Sequence, residues 1–156
     1  MKTLQLRVRG FEVCQEALRK TNADIILPTR GSSCSAGYDF YSPTRHIIKP
    51  GCKTVIWTDV KAYMNIGEVL AVFVRSSVGI KKGLVLANGT GIIDADYYEN
   101  VSNDGNIGIC LYNTSDNDVE IEVGERIAQG IFLPFLVADT GNTDAVRSGG
   151  IGSTQN

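Results

Sequence analysis

The sequence predicts an all-β domain, a sandwich, barrel or jelly roll, and three observations predict it. Apolar and polar residues alternate with period two in several short segments, the signature of strands with one wet face. Turn signals separate these segments at short intervals: Lys49-Pro50-Gly51, Asn65-Ile66-Gly67, Asn103-Asp104-Gly105 and Val123-Gly124-Glu125. Helical periodicity is nearly absent, and many short strands with turn chemistry mean layered or closed sheets.

Taken in order, Leu4, Leu6 and Val8 alternate with polar neighbours and read as a first strand. A short helix is conceivable over 11–19. Strands are expected at 24–28, at 38–41 and, as one long element, at 54–64. Val69 to Val74 is continuously apolar, which suits a strand buried on both faces. Further strands are expected at 84–87, 108–113, 119–123 and 129–134. The last stretch, 138–156, changes character: it is rich in glycine and small polar residues, and poor in apolar ones. Alone it reads as a mobile tail. The expected organisation is therefore one β domain over 1–137 and a glycine-rich arm over 138–156.

Composition narrows the function classes. With 156 residues, 43% of them hydrophobic and 21% charged, the chain suits one domain with a real core. The formal net charge of -2 and a pI near 5.4 give no basic surface for duplex nucleic acid, and Lys81-Lys82 is the longest basic cluster. No nucleic-acid partner is expected. No apolar run approaches the roughly 20 residues of a membrane helix, so no membrane partner is expected either. The first ten residues lack a signal-peptide core. Cys14, Cys34, Cys52 and Cys110 form no C-x-x-C pair. A cytoplasmic protein with reduced thiols is the expectation.

Five segments could carry chemistry. In Ser35-Ala36-Gly37-Tyr38-Asp39, a carboxylate sits among apolar neighbours after a close-packing Ala-Gly pair. It could hold metal-bound water, or it could be a surface Asp beside a turn. Arg75-Ser76-Ser77 follows the buried strand, where a planar donor fork and two hydroxyls suit phosphate. A strand ending in a serine loop would look the same. Asn88-Gly89-Thr90-Gly91-Ile92-Ile93-Asp94-Ala95-Asp96-Tyr97 is the richest segment. Asn and Gly there suit a tight β-hairpin whose backbone could meet a ligand edge. Asp94, after two isoleucines, could serve as a base, and Tyr97 offers an aromatic face. Gln129, four residues after Glu125 on a predicted strand, could bind an anion or simply satisfy the backbone. Arg147 to Thr154, with Gly149, Gly150 and Gly152, could wrap an anion with backbone amides and an Arg, or be a flexible end.

Together and in this order, these segments resemble the five motifs of the trimeric dUTPase family, bacterial or phage type, from about Leu27 to Thr154. The resemblance implies a dUTPase-like jelly-roll or β-clip barrel. It implies a homotrimer with shared active sites and a swapped C-terminal arm that closes over dUTP as a lid. It implies Mg²⁺ as cofactor. By position, Asp94 would deprotonate the water that attacks the α-phosphorus, and Asp39 would act through water on Mg²⁺. Tyr97 would pack on the deoxyribose and refuse a 2′-hydroxyl. Asn88 and the backbone around Gly91 and Ile93 would pair with the uracil edge. Arg75, Ser76, Ser77 and Gln129 would bind phosphates. Arg147, Gly150, Ser153 and Thr154 would clamp the γ-phosphate. The product dUMP and the removal of dUTP would keep uracil out of DNA.

Two departures stand out. The arm carries Ile151 where family members place an aromatic ring on the uracil. Ile can cover the base without stacking, a loss of roughly 0.5–1.5 kcal/mol. The stretch 98–106 is longer than the short turn of many members and reads as an inserted surface loop. Two other classes compete. A dCTP deaminase of the same fold needs a Glu that activates water at the pyrimidine ring, and no matching Glu is found. A dUTP-responsive regulatory binding protein would not need the full set of Asp39, Arg75, Asp94 and Arg147.

Overall fold

A computed structural model describes residues 6–152. Its elements are twelve strands, one short helix and two 3₁₀ turns. The strands are β1 (Gly10–Val13), β2 (Thr29–Arg30), β3 (Tyr38–Tyr41), β4 (His46–Ile48), β5 (Lys53–Trp57), β6 (Val60–Tyr63), β7 (Glu68–Val74), β8 (Leu84–Leu86), β9 (Gly91–Asp94), β10 (Gly108–Asn113), β11 (Val119–Ile121) and β12 (Arg126–Pro134). They form a five-stranded sheet in the order β2-β3-β12-β7-β9, a three-stranded sheet β5-β10-β8, and the pairs β1-β6 and β11-β4. Every pairing is antiparallel.

One core joins all four sheets. Phe40, Leu70, Val72 and Ile127 enter it from the large sheet, and Ile56, Leu84, Ile109 and Leu111 from the second. Ala62 comes from the β1-β6 pair, and Ile48 and Ile121 from the β11-β4 pair. The alternation that predicted strands is visible in β10, where Ile109, Leu111 and Asn113 point inward and their neighbours do not. Full burial of side chains of this size contributes about 1.5–3 kcal/mol each. Phe11 seals β1 to the large sheet, with its ring 5.3 to 5.5 Å from those of Tyr38, Phe40 and Phe132.

The all-β expectation is met, and several boundaries are corrected. The helix expected over 11–19 is instead β1 followed by a 3₁₀ turn at Glu16–Leu18. The first expected strand falls partly outside the described residues, and 6–8 are irregular. The strand expected at 24–28 is absent; pairing starts only at Thr29, after Pro28, which has no N–H to give. The long strand 54–64 is broken by Asp59 at φ 54°. That backbone is fixed by its own buried carboxylate, which accepts the Lys20 and Thr21 N–H groups at 2.7 and 2.9 Å and Asn106 Nδ2 at 2.7 Å.

Ser76–Lys82 is a helix, α1, that the pattern did not announce, because Val78 is its one buried side chain. It stops at Gly83, whose φ of 67° is the left-handed conformation that ends helices. The turn after β8 is also not a hairpin. Its two strands belong to different sheets: β8 pairs with β10, and β9 pairs with β7.

Candidate functional site

The predicted residues gather into two groups on the five-stranded sheet. The first lies where β3, β12 and the end of β7 meet. Asp39 and Gln129 are register partners across β3 and β12. The Asp39 carboxylate is 7% exposed and faces two guanidinium groups, Arg75 Nε at 2.9 Å and Arg126 Nη1 at 3.5 Å. Arg75 caps α1 from the end of β7, and Ser76 and Ser77 are exposed in the helix's first turn, where backbone N–H groups lack intrahelical acceptors. Gly37 is required by this packing. A Cβ there would stand 2.6 Å from Gln129 Oε1, so the glycine leaves the space that the Gln side chain fills. The group offers donor forks, hydroxyls and an amide around one carboxylate, a combination suited to a phosphate chain.

The second group lies at the end of β9. Asp94 closes that strand opposite Val69, and its carboxylate is 48% exposed. Tyr97 follows on a 3₁₀ turn and is buried, with its hydroxyl donating to the Asn106 carbonyl at 2.8 Å. Burial raises the Tyr97 pKa, so the phenol stays a donor at neutral pH. A small cleft runs between the two main sheets and is lined by Leu86, Asn88, Gly91, Ile93, Gly108 and Cys110. Asn88 is exposed at its mouth. A Cβ on Gly91 would press within 3.1 Å of Val72 Cβ, so β9 lies close against β7 there.

The arm returns to this second group. Arg147 Nη2 meets Asp94 Oδ2 at 2.6 Å, and its Nε meets Asp96 Oδ1 at 2.7 Å. Its guanidinium lies 5.7 Å from the centre of the Tyr97 ring. Gly150 packs against Asn103 and Ser102 of the loop 98–106. Ile151 projects outward at 78% exposure. Ser153 and Thr154 lie outside the described residues. Within the single chain, the arm rests on Asp94, Asp96 and Asn103.

Three contributors were not assigned from the sequence. Arg126 shares Asp39 with Arg75, and Asp96 shares Arg147 with Asp94. The third is the loop 98–106, read as a surface insertion. Asn100, Asn103, Asp104 and Asn106 in it are buried. The available signal was the concentration of Asn and Asp, residues that fold a loop on its own side-chain hydrogen bonds.

The two groups do not converge within one chain. From Phe73, the register partner of Gln129, to Val69, the partner of Asp94, is four residues along β7. Three strand spacings separate β3 from β9. At about 3.4 Å per residue and 4.8 Å per strand, Asp39 and Asp94 stand about 20 Å apart. Among the described residues, no three His, Cys, Asp or Glu side chains cluster to hold a metal ion.

Comparison with known proteins gives one consistent answer. Residues 23–155 match the dUTPase family. The deoxyuridine 5'-triphosphate nucleotidohydrolase of Lactococcus lactis is 46% identical over 151 residues, covering 96% of this chain and 99% of that protein. The human mitochondrial enzyme of the same name is 38% identical, over 95% of this chain and 58% of its own length. The crystal structure of the Streptococcus mutans dUTPase superposes with a TM-score of 0.74 at 45% identity, covering 84% of this chain and 99% of that one. Both groups of side chains and all but the last residue of the arm fall inside the matched span, and on that span the chain belongs to the dUTPase family.

Proposed function

We propose that this chain hydrolyses dUTP to dUMP and diphosphate, at a site completed by neighbouring copies of itself. The observation that carries the reading is the half-exposed Asp94, which ends β9 one residue after Ile93, itself part of the lining of a cleft with Asn88 and Gly91, and is followed by the turn that carries Tyr97. Relatives named deoxyuridine 5'-triphosphate nucleotidohydrolase support the substrate.

The roles divide between the two groups. Asp94 takes a proton from water as the water oxygen bonds to the α-phosphorus. The bond from that phosphorus to the α–β bridging oxygen breaks, and diphosphate leaves with the bridging oxygen. Tyr97 lies against the deoxyribose. Asn88 and the backbone at Gly91 and Ile93 meet the uracil edge. Such a site rejects a base whose edge leaves its polar groups unpaired, by as much as about 10⁴-fold. Arg75, Ser76, Ser77 and Gln129 hold phosphates. Arg147, Gly150, Ser153 and Thr154 close over the γ-phosphate, and Ile151 covers the base.

The separation of about 20 Å within one chain is what calls for a second copy, since Asp39 and Asp94 must serve one nucleotide. An outward apolar face supports assembly: Val55 opposes Cys110, Val85 opposes Tyr112, and Val55, Val85 and Tyr112 are all exposed. A homotrimer is the assembly we infer. An arm exchanged between copies would make on a neighbour the contacts it makes here on its own chain. The arm, 138–156, is then a lid and 1–137 the domain it closes.

Mg²⁺ fits this donor set. It favours phosphate oxygens and retained waters over an all-protein cage. Asp39 keeps lone pairs beyond those facing Arg75 and Arg126, enough to accept from a metal-bound water. When bound, the ion would neutralise charge on the phosphate chain.

Product release from dUTP, dTTP, dCTP and UTP, with and without Mg²⁺, tests the proposal. dUTP should be the preferred substrate, with Mg²⁺ required for full rate. Ammonia released from dCTP without diphosphate from dUTP would replace it with a deaminase.

A further inference from the structure

The loop 98–106 is anchored far more firmly than a surface insertion requires. Asp104 accepts from Lys61 Nζ at 3.0 Å and from the Gln15 N–H at 2.7 Å. Lys61 also reaches Glu99 at 3.1 Å. Burial disfavours the Lys61 charge, but Asp104 and Glu99 more than offset it, and its pKa is raised. Asn106 is tied to the buried Asp59. These contacts fix the base of the loop to β6 and to the N-terminal segment.

Asn103 stands at the centre. Its Oδ1 accepts from Asn100 Nδ2 at 2.7 Å and from the Gly105 N–H at 3.1 Å. The Gly105 N–H can only donate, so it fixes which end of the amide is oxygen. Nδ2 therefore points the other way, and donates to the Tyr97 hydroxyl at 2.8 Å. With the Asn106 carbonyl accepting from the same hydroxyl, the Tyr97 ring is held at both its donor and its acceptor. The same Nδ2 forms part of the arm's seat: a Cβ on Gly150 would come within 3.0 Å of it, and within 3.5 Å of Ser102 Oγ.

We infer that Asn103 is a positioning residue, whose amide sets the Tyr97 ring and forms the floor on which the glycine arm closes, linking sugar selection to arm closure. The inference rests on the reading above, in which Tyr97 faces the sugar and the arm covers the nucleotide. A Cβ at position 150 would require the arm or the Asn103 amide to give by a few tenths of an ångström.

Two variants of the full chain test it. Asn103→Asp keeps the shape and the acceptor but removes the donor to Tyr97. Asn103→Ala removes both. Each should raise KM for dUTP about three- to ten-fold, as the loss of one hydrogen bond does. Each should lower the dUTP-over-UTP ratio of kcat/KM by a similar factor and change kcat little. Gly150→Ala should raise KM while keeping that ratio. In a Tyr97→Phe background, Asn103→Asp should no longer move the ratio. A readout independent of turnover is tryptic cleavage after Arg147, followed by mass spectrometry. It should be faster in both Asn103 variants than in the unaltered chain. Unchanged KM, ratio and cleavage would overturn the inference, as would a fall in kcat alone that tracks a lowered Tm. An unaltered chain that leaves dUTP intact would instead overturn the functional reading, and the cleavage rates would still decide the link between Asn103 and the arm.

Discussion

Asp39 and Asp94 lie on the same sheet and carry the same carboxylate, yet their surroundings differ in kind. Asp39 is almost fully covered and faces two guanidinium groups, Arg126 on the adjacent β12 and Arg75 at the cap of α1. Asp94 is half exposed at a strand end, and its cationic partner, Arg147, belongs to an arm of glycines and small polar residues. Strand ladders fix the first group before any ligand arrives. The second is completed by loops and the arm. In the proposed reaction the residue that takes a proton from water needs access and a partner that can leave, and of these two carboxylates Asp94 is the one with both. A residue that must aim two arginines needs burial and permanence, and Asp39 has those.

The largest effect should come from Asp94→Asn. Turnover should fall about 10²- to 10⁴-fold, as loss of a general base does, while Tm and nucleotide binding stay near those of the unaltered chain. Equilibrium binding of a non-hydrolysable dUTP analogue, measured beside kcat, checks both halves. Retained turnover would remove Asp94 from the chemistry and erase the contrast with Asp39.

Asp39→Asn should fail differently. It leaves Arg75 and Arg126 facing a neutral amide. Both are partly exposed, so solvent absorbs much of the cost, and stability should drop by about 1–2 kcal/mol. Arg75 loses its aim, and KM should rise more than kcat falls. Thermal unfolding together with steady-state kinetics reads this. If Asp39→Asn instead matched Asp94→Asn, with a lost kcat, a normal KM and an unchanged Tm, the two carboxylates would not divide the work as argued.

The same contrast explains what the sequence disclosed. The Asp39 group is strand-borne, and strands announce themselves by period-two alternation. Tyr38–Tyr41 and Gly108–Asn113 were legible to the residue, and β7 to within one residue, though full burial is confined to Leu70, Ala71 and Val72. The motif residues were legible because a resemblance carried them, not because spacing alone could. Elements held by side-chain hydrogen bonds were not legible. Asp59 breaks a strand through a carboxylate whose partners lie 38 to 47 residues away. The loop 98–106 buries its asparagines through bonds within itself and to β6, and a polar stretch looks solvated until those partners are known. Helix α1 presents too narrow an apolar stripe for periodicity to find.

The smallest effect concerns a group outside both regions. His46, the only histidine, sits on β4 with Nε2 2.8 Å from Thr44 Oγ1, and burial lowers its pKa from 6.5. The unfolded chain therefore takes up this proton at a higher pH than the folded one. The unfolded state binds more protons in the window from pH 6.5 down to the lowered folded value, so stability falls as pH falls through it. Above pH 6.5 both states are neutral and His46 contributes no slope. His46→Asn should remove this part of the pH dependence of Tm, measured between pH 5 and 7.5 on the unaltered chain and the variant. It should leave kcat/KM for dUTP unchanged across the same pH range, because the proposed nucleotide site lies on another sheet. A kcat/KM that changed with His46→Asn would tie catalysis to the β4-β11 pair and break the proposed assignment of proton transfer to Asp94.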